Sequence, residues 1–152
     1  MAISTQEVFD FIQSHTLATL STVTPEGIPH GTPIYYAWHP ESRTLSLVTP
    51  AKTTKKRNMD THRAVCLTIT DEEELTMIRI QATVTENSSL VPKTLHQLAE
   101  KLGNQPQILE SLPLMKYTDQ SKTAYEIRPT SIQFDRYNTN NLERYSVPTE
   151  EL

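Results

Sequence analysis

The sequence predicts a mainly β fold with flanking helices, one domain whose roughly six antiparallel strands close into a barrel. Three observations lead there. Runs rich in Thr, Val, Ile and aromatic residues recur at short intervals, separated by turn chemistry, as in an antiparallel sheet. Helical periodicity is confined to the start of the chain, one short insert and a stretch beyond residue 90. A sheet of that many strands removes its exposed edges most simply by closing on itself.

Taken in order, Ser4 and Glu7 have capping-box spacing, and Val8, Phe11 and Ile12 recur at helical intervals, so a first helix is expected over 5–14. Residues 17–23 read as a strand, and Thr24-Pro25-Glu26-Gly27 as a turn. Pro29 and Pro33 make the start of the next run an edge, while 34–38 has strong strand composition. Residues 39–43 form a hairpin loop and 45–49 return. A short helix is expected over 53–61, strands over 64–70 and 76–85, and an acidic hairpin tip, Asp71-Glu72-Glu73-Glu74, between them. In the second of these strands Ile78, Ile80, Ala82 and Val84 share one face. Leu95, Leu98, Ala99 and Leu102 space like a helix that Gly103 ends, and a shorter helix is expected near 106–111. The last strand runs from Ala124 to Phe134 with a bend at Pro129, and residues 138–152 read as a polar tail.

Composition narrows the function. At 152 residues and 21% charged side chains the chain is globular rather than disordered, and its net charge of −4 argues against generic nucleic-acid binding. No apolar run reaches the ~20 residues of a membrane span, and no secretory leader is visible, so a cytoplasmic location is expected. The single cysteine, Cys66, lies in an apolar run and reads as a buried small hydrophobe. With only three glycines there is no Gly-rich phosphate loop, and no Gly-x-Ser-x-Gly elbow occurs. His15, His30, His39, His62 and His96 lack metal-ligand spacing and read as surface or packing residues.

One segment departs from this background. Lys52, Lys55, Lys56, Arg57 and Arg63 fall within 12 residues, and no acidic residue occurs between Glu41 and Asp60. The segment follows a strand and opens a helix. Unpaired N–H groups, Thr hydroxyls and lysines at a helix start suit a phosphate. The plain alternative is a solvated basic helix face. Nucleic-acid binding through 52–63 is disfavoured by the acidic total and the lack of aromatics beside the segment.

Several stretches together resemble the pyridoxamine 5'-phosphate oxidase-like, FMN-binding split-barrel family. They are Leu17-Ala18-Thr19-Leu20-Ser21-Thr22 with Gly27, Pro29-His30 and Pro33-Ile34-Tyr35-Tyr36; then Thr49 with Thr53 to Met59; then Ile78 to Thr83; and last Tyr125, Ile127, Pro129, Ile132 and Phe134. The resemblance covers roughly 5–137, which it marks as an FMN-binding domain, and implies a six-stranded split β-barrel forming a homodimer with FMN at the subunit interface. It implies that Lys55 binds the FMN phosphate with Thr53 as hydroxyl donor, that Thr49 lies beside the cofactor, and that Pro33, Ile34, Tyr35 and Tyr36 pass along the isoalloxazine through backbone groups. Lys56 and Arg57 are secondary candidates, and Asn58 is expected to cap or pack.

The departures separate the cofactor from the vitamin substrate. Where the oxidases carry Trp after the last-strand Phe, this chain has Asp135; where they carry an Arg-Leu-His segment, it has Asn141-Leu142-Glu143, with Arg144 out of register. Ala37 or Trp38 stands where those enzymes place a basic residue, and Ala82 replaces a usual Gly. The expected function is therefore an FMN-dependent oxidoreductase acting with a small-molecule substrate or electron donor, without pyridoxamine-phosphate oxidase activity and with no catalytic side chain named. The alternative is a non-catalytic protein that binds flavin, the deazaflavin F420 or haem. No metal site, nucleic-acid partner or membrane partner is expected.

Overall fold

The computed structural model describes residues 2–103, 105, 107 and 121–152. Helix α1 spans Thr5–Ser14, and the Ser4 hydroxyl accepts the Glu7 N–H at 3.2 Å. Val8 and Ile12 are its buried stripe. The Glu7 carboxylate does not close the capping box; it pairs with Arg136. Strands β1 (Leu17–Val23) and β2 (Pro29–Tyr35) form a hairpin. Its turn needs a left-handed residue, supplied by Gly27 at φ 84°, whose N–H donates to the Thr24 carbonyl at 2.9 Å.

β3 (Ala37–His39) and β4 (Thr44–Pro50) follow, then helix α2 (Thr54–Thr61), β5 (Ala64–Asp71), β6 (Thr76–Glu86), helix α3 (Val91–Lys101), β7 (Lys122–Asn138) and β8 (Asn141–Ser146). Single 3₁₀ turns occur at Ser88–Leu90 and Thr149–Glu151. The expected helix near 106–111 falls almost wholly outside the described residues.

All pairings are antiparallel, in the order β2-β1-β5-β6-β7-β4-β3, with β8 added beside β7. The two ends of this path, β2 and β3, are neighbours in the chain, separated by Tyr36 alone. The sheet thus curls round until its ends meet through a covalent link rather than a hydrogen-bond ladder. Tyr36 is fully buried there; its N–H donates to the Thr16 carbonyl at 3.0 Å and its hydroxyl to the Ile12 carbonyl at 2.7 Å.

The strand count differs from the expected six. The run 34–38 breaks at Tyr36 into two strands, because its N–H there serves the loop before β1 and its side-chain hydroxyl serves α1. Residues 141–146, within the stretch read as a polar tail, form β8 against β7. Their alternation was hidden because both faces carry polar residues.

β7 organises the sheet. Its first part, 122–127, pairs with β4, and its last part, 133–138, with β8, while β6 runs along nearly all of it. Between the two, Gln81 faces Ser131 but Ala82 faces Pro129, leaving Thr130 as an extra residue. This bulge is the bend that Pro129 signals.

The inner faces of β1, β4, β5, β6 and β7 enclose the core, with Leu20, Leu45, Leu67, Ile80 and Ile127 all fully buried. Each contributes on the order of 1.5–3 kcal/mol by leaving water. β4 is buried on both faces: Leu45 and Leu47 point into the core, while Ser46 faces α3 and meets Thr94. Cys66 does not join the core as expected. It is half-buried on the outer face of β5, between the core residues Val65 and Leu67, and burial raises its thiol pKa.

Candidate functional site

The basic segment forms the first turn of α2. Thr53 is its N-cap: the side-chain oxygen accepts the Lys56 N–H at 3.3 Å. The same oxygen lies 2.9 Å from the Thr49 hydroxyl, which donates to the Pro50 carbonyl at 3.1 Å. Thr49 is fully buried at the end of β4, so it supports Thr53 from behind. The N–H groups that open α2 have no partner within the helix and point out of its end.

Lys55 lies on the side of α2 facing β2. It lines a cavity of about 220 Å³ together with Thr53, Thr54, His30 and Thr32. It is half-buried, and burial lowers its pKa, since the charge has lost water. Among the described residues no carboxylate pairs with it. A cation left in this way favours an anion beside it.

His30 and Thr32 were not among the expected binding residues. In the β1–β2 register His30 faces Thr22, Thr32 faces Leu20 and Ile34 faces Ala18. These residues therefore share the inner face of the sheet, which turns from apolar to polar toward the mouth under α2. The His30 Nδ1 atom is buried without a hydrogen-bond partner. An orphaned buried polar atom of this kind costs about 1–3 kcal/mol. The signal was present in sequence: counting back by twos from the inward Ile34 reaches both residues.

Lys56, adjacent in sequence, is committed elsewhere. Its ammonium donates to Asp60 at 2.8 Å and to the Tyr125 hydroxyl at 3.3 Å, and lies 3.6 Å from Glu86. The bond to Asp60 is the main cause of its raised pKa. The Tyr125 hydroxyl in turn donates to Asp60, and burial pushes its pKa up to about 12. This cluster fastens α2 to β6 and β7. Lys56 also lines a second cavity, of about 470 Å³, with Lys52, Arg57 and Asp60.

The Pro33–Tyr36 segment is divided. Pro33 is exposed on the outer face, Ile34 is in the core, Tyr35 is half-buried, and Tyr36 turns under α1. None of these four lines the Lys55 cavity. β2 is, however, a sheet edge with β1 as its one ladder partner, so alternate backbone groups face outward. Asn58 packs as expected: it is fully buried and its amide donates to Thr22 at 3.0 Å, leaving its Oδ1 unpartnered.

Asp135 is largely buried and pairs with Arg144 at 2.8 Å. The two are direct partners in the β7–β8 register, so Arg144 is the counterion of the residue that replaces the oxidases' Trp. Among the described residues no cluster of His, Cys, Asp and Glu suits a metal, and no helix is long and apolar enough to cross a membrane.

A curled antiparallel sheet, with one helix inserted after β4 and a polar cavity at that helix's start, is a split-barrel arrangement. The chain belongs to the pyridoxamine 5'-phosphate oxidase family, whose sequence profile matches residues 4–135. No curated protein gives a sequence match. Among solved structures the fold is similar to an F420 reductase (19% identity, 81% of this chain and 93% of the other, TM-score 0.63). It is similar also to the haem storage protein HutZ of Vibrio cholerae (18% identity, 85% and 91%, TM-score 0.61). A third is an FAD-binding protein of Mesorhizobium loti (12% identity, 96% and 96%, TM-score 0.63). At these identities the likeness is one of fold.

Proposed function

We propose that the chain is a flavoprotein that binds FMN, with Lys55 gripping the phosphate, and that it works as a flavin-dependent oxidoreductase. The observation that carries this reading is the small polar cavity at the start of α2. There a half-buried ammonium without a carboxylate shares the lining with three threonines and an unpartnered buried nitrogen. That donor set fits a phosphate monoester. Family membership supports it.

In this assignment Thr53 donates its hydroxyl to the phosphate and Thr49 takes up the hydrogen bond behind it. Lys56 holds α2 in place through Asp60 and Tyr125 rather than touching the ligand. The outward backbone groups of β2, over Pro33 to Tyr36, border the isoalloxazine. Bound flavin would supply hydride or electron transfer. Two copies of the chain enclose the cofactor as a homodimer in the cytoplasm; the exposed outer sheet face, with Leu17 at 50% exposure, leaves room for a partner.

The test is an absorbance spectrum of the purified protein, with mass analysis of what denaturation releases. Released FMN is the expected result; F420 or haem would redirect the reading to the family's other ligands. Reduction by a nicotinamide donor and reoxidation by an added acceptor would separate turnover from storage. Lys55→Ala should weaken FMN affinity by about 10- to 100-fold, the worth of a charge-assisted contact, and leave riboflavin affinity unchanged. Equal FMN binding in Lys55→Ala would refute the phosphate assignment.

A further inference from the structure

His30 is the unexplained feature of this cavity. It stands on the inner face of β2, opposite Thr22, and lines the same space as Lys55, Thr53 and Thr54. Its Nδ1 is buried and unpartnered, although hydroxyls and an ammonium are close at hand. Several neighbours are already committed. Thr22 already accepts from the Asn58 amide, Thr53 is engaged by Thr49 and the Lys56 N–H, and Lys55 is a donor like an imidazole N–H. Nδ1 thus has no protein hydrogen-bond partner, and an oxyanion bound in the cavity would provide one.

We propose that His30 is a second ligand of the bound phosphate, its Nδ1–H donating to an oxygen opposite the one Lys55 holds, so that the site discriminates a terminal phosphate from its absence. This rests on the reading of the cavity as a phosphate site. Lys55 approaches from α2 and His30 from β2, and the anion then bridges helix and strand. The charged group facing His30 in the cavity is Lys55; no carboxylate lines it. A dianion between the Lys55 ammonium and the His30 N–H is favourable, whereas an uncharged ribityl end would leave His30 Nδ1 as it stands.

Two measurements test this. In fluorescence titrations, the ratio of riboflavin Kd to FMN Kd should fall about tenfold in His30→Leu and stay within about threefold of wild type in His30→Gln, whose amide can still donate. Independently, in the unmutated protein, the His30 imidazole 15N resonances should move on addition of inorganic phosphate. They should move much less in Lys55→Ala. An unchanged ratio in His30→Leu, with a reduced ratio in Lys55→Ala, would overturn the His30 assignment and leave the phosphate site standing. An unchanged ratio in both variants would bring down the site itself. Resonances blind to phosphate would likewise end the proposal.

Discussion

Lys55 and Lys56 show how far neighbouring residues of one type can diverge. A helix turns about 100° per residue, so one ammonium enters the cavity while the other meets Asp60 and Tyr125. The sequence showed the cluster, the capping threonine and the i,i+4 spacing of Lys56 and Asp60, but not the further ties of Lys56 to Glu86 and Tyr125, which come from strands far along the chain. His30 was missed for a related reason: in isolation it matches no ligand spacing, and its meaning comes from the orphaned Nδ1. Asp135 supports a separate prediction. The Arg144 guanidinium holds its carboxyl below the usual 3.8. A depressed carboxyl stabilises the fold above that pH, and the contribution is lost as pH falls through the folded-state value. Asp135→Asn should therefore lower stability at pH 7 by about 1 kcal/mol, since Arg144 is more than half exposed. In urea titrations the deficit should shrink as the pH drops below the ordinary carboxyl value.

At the level of elements, periodicity and capping located α1, α2 and the end of α3 to within a residue or two, because each of those boundaries is a local event, while α3 starts at Val91, four residues before the first periodic leucine, without a side-chain cap to mark it. The break at Tyr36 and the strand β8 were not legible, because both depend on partners elsewhere: Thr16 and Ile12 for the first, β7 for the second. The Thr53 cap gives a direct test. Thr53→Ala should cost about 1 kcal/mol and weaken FMN binding, while Thr53→Ser should restore most of both, read by thermal melts and flavin titration. α3 carries a pH-dependent contact. Burial lowers the Lys101 pKa to about 8, and its ammonium donates to the His15 carbonyl at 3.0 Å. A lysine whose folded pKa lies below its unfolded 10.5 binds fewer protons when folded, so stability rises with pH between those values. Melting temperature measured from pH 8 to 10 should show this rise, and Lys101→Met should flatten part of it.

For the whole molecule, the antiparallel class and the curling of the sheet were legible in sequence, since turn spacing and strand composition carry both. The order of strands was not, because it is fixed by β7 lying between β6 and β4, whose paired residues are 39–60 and 72–82 positions away in the chain. A chain ending at residue 138 lacks only β8 and the final turn, and should still fold with a lowered melting temperature. A chain ending at 121 leaves the edges of β4 and β6 open and should be aggregated in size-exclusion runs, without a cooperative melt. That placement of β7 also bears on how the protein is made. A ribosome extends a chain at roughly 5–20 residues per second. The edge of β4, complete at Pro50, thus waits several seconds for a mate that begins at Lys122. Until then the nascent protein offers two sticky borders, and the last long strand to emerge is the one that zips them shut.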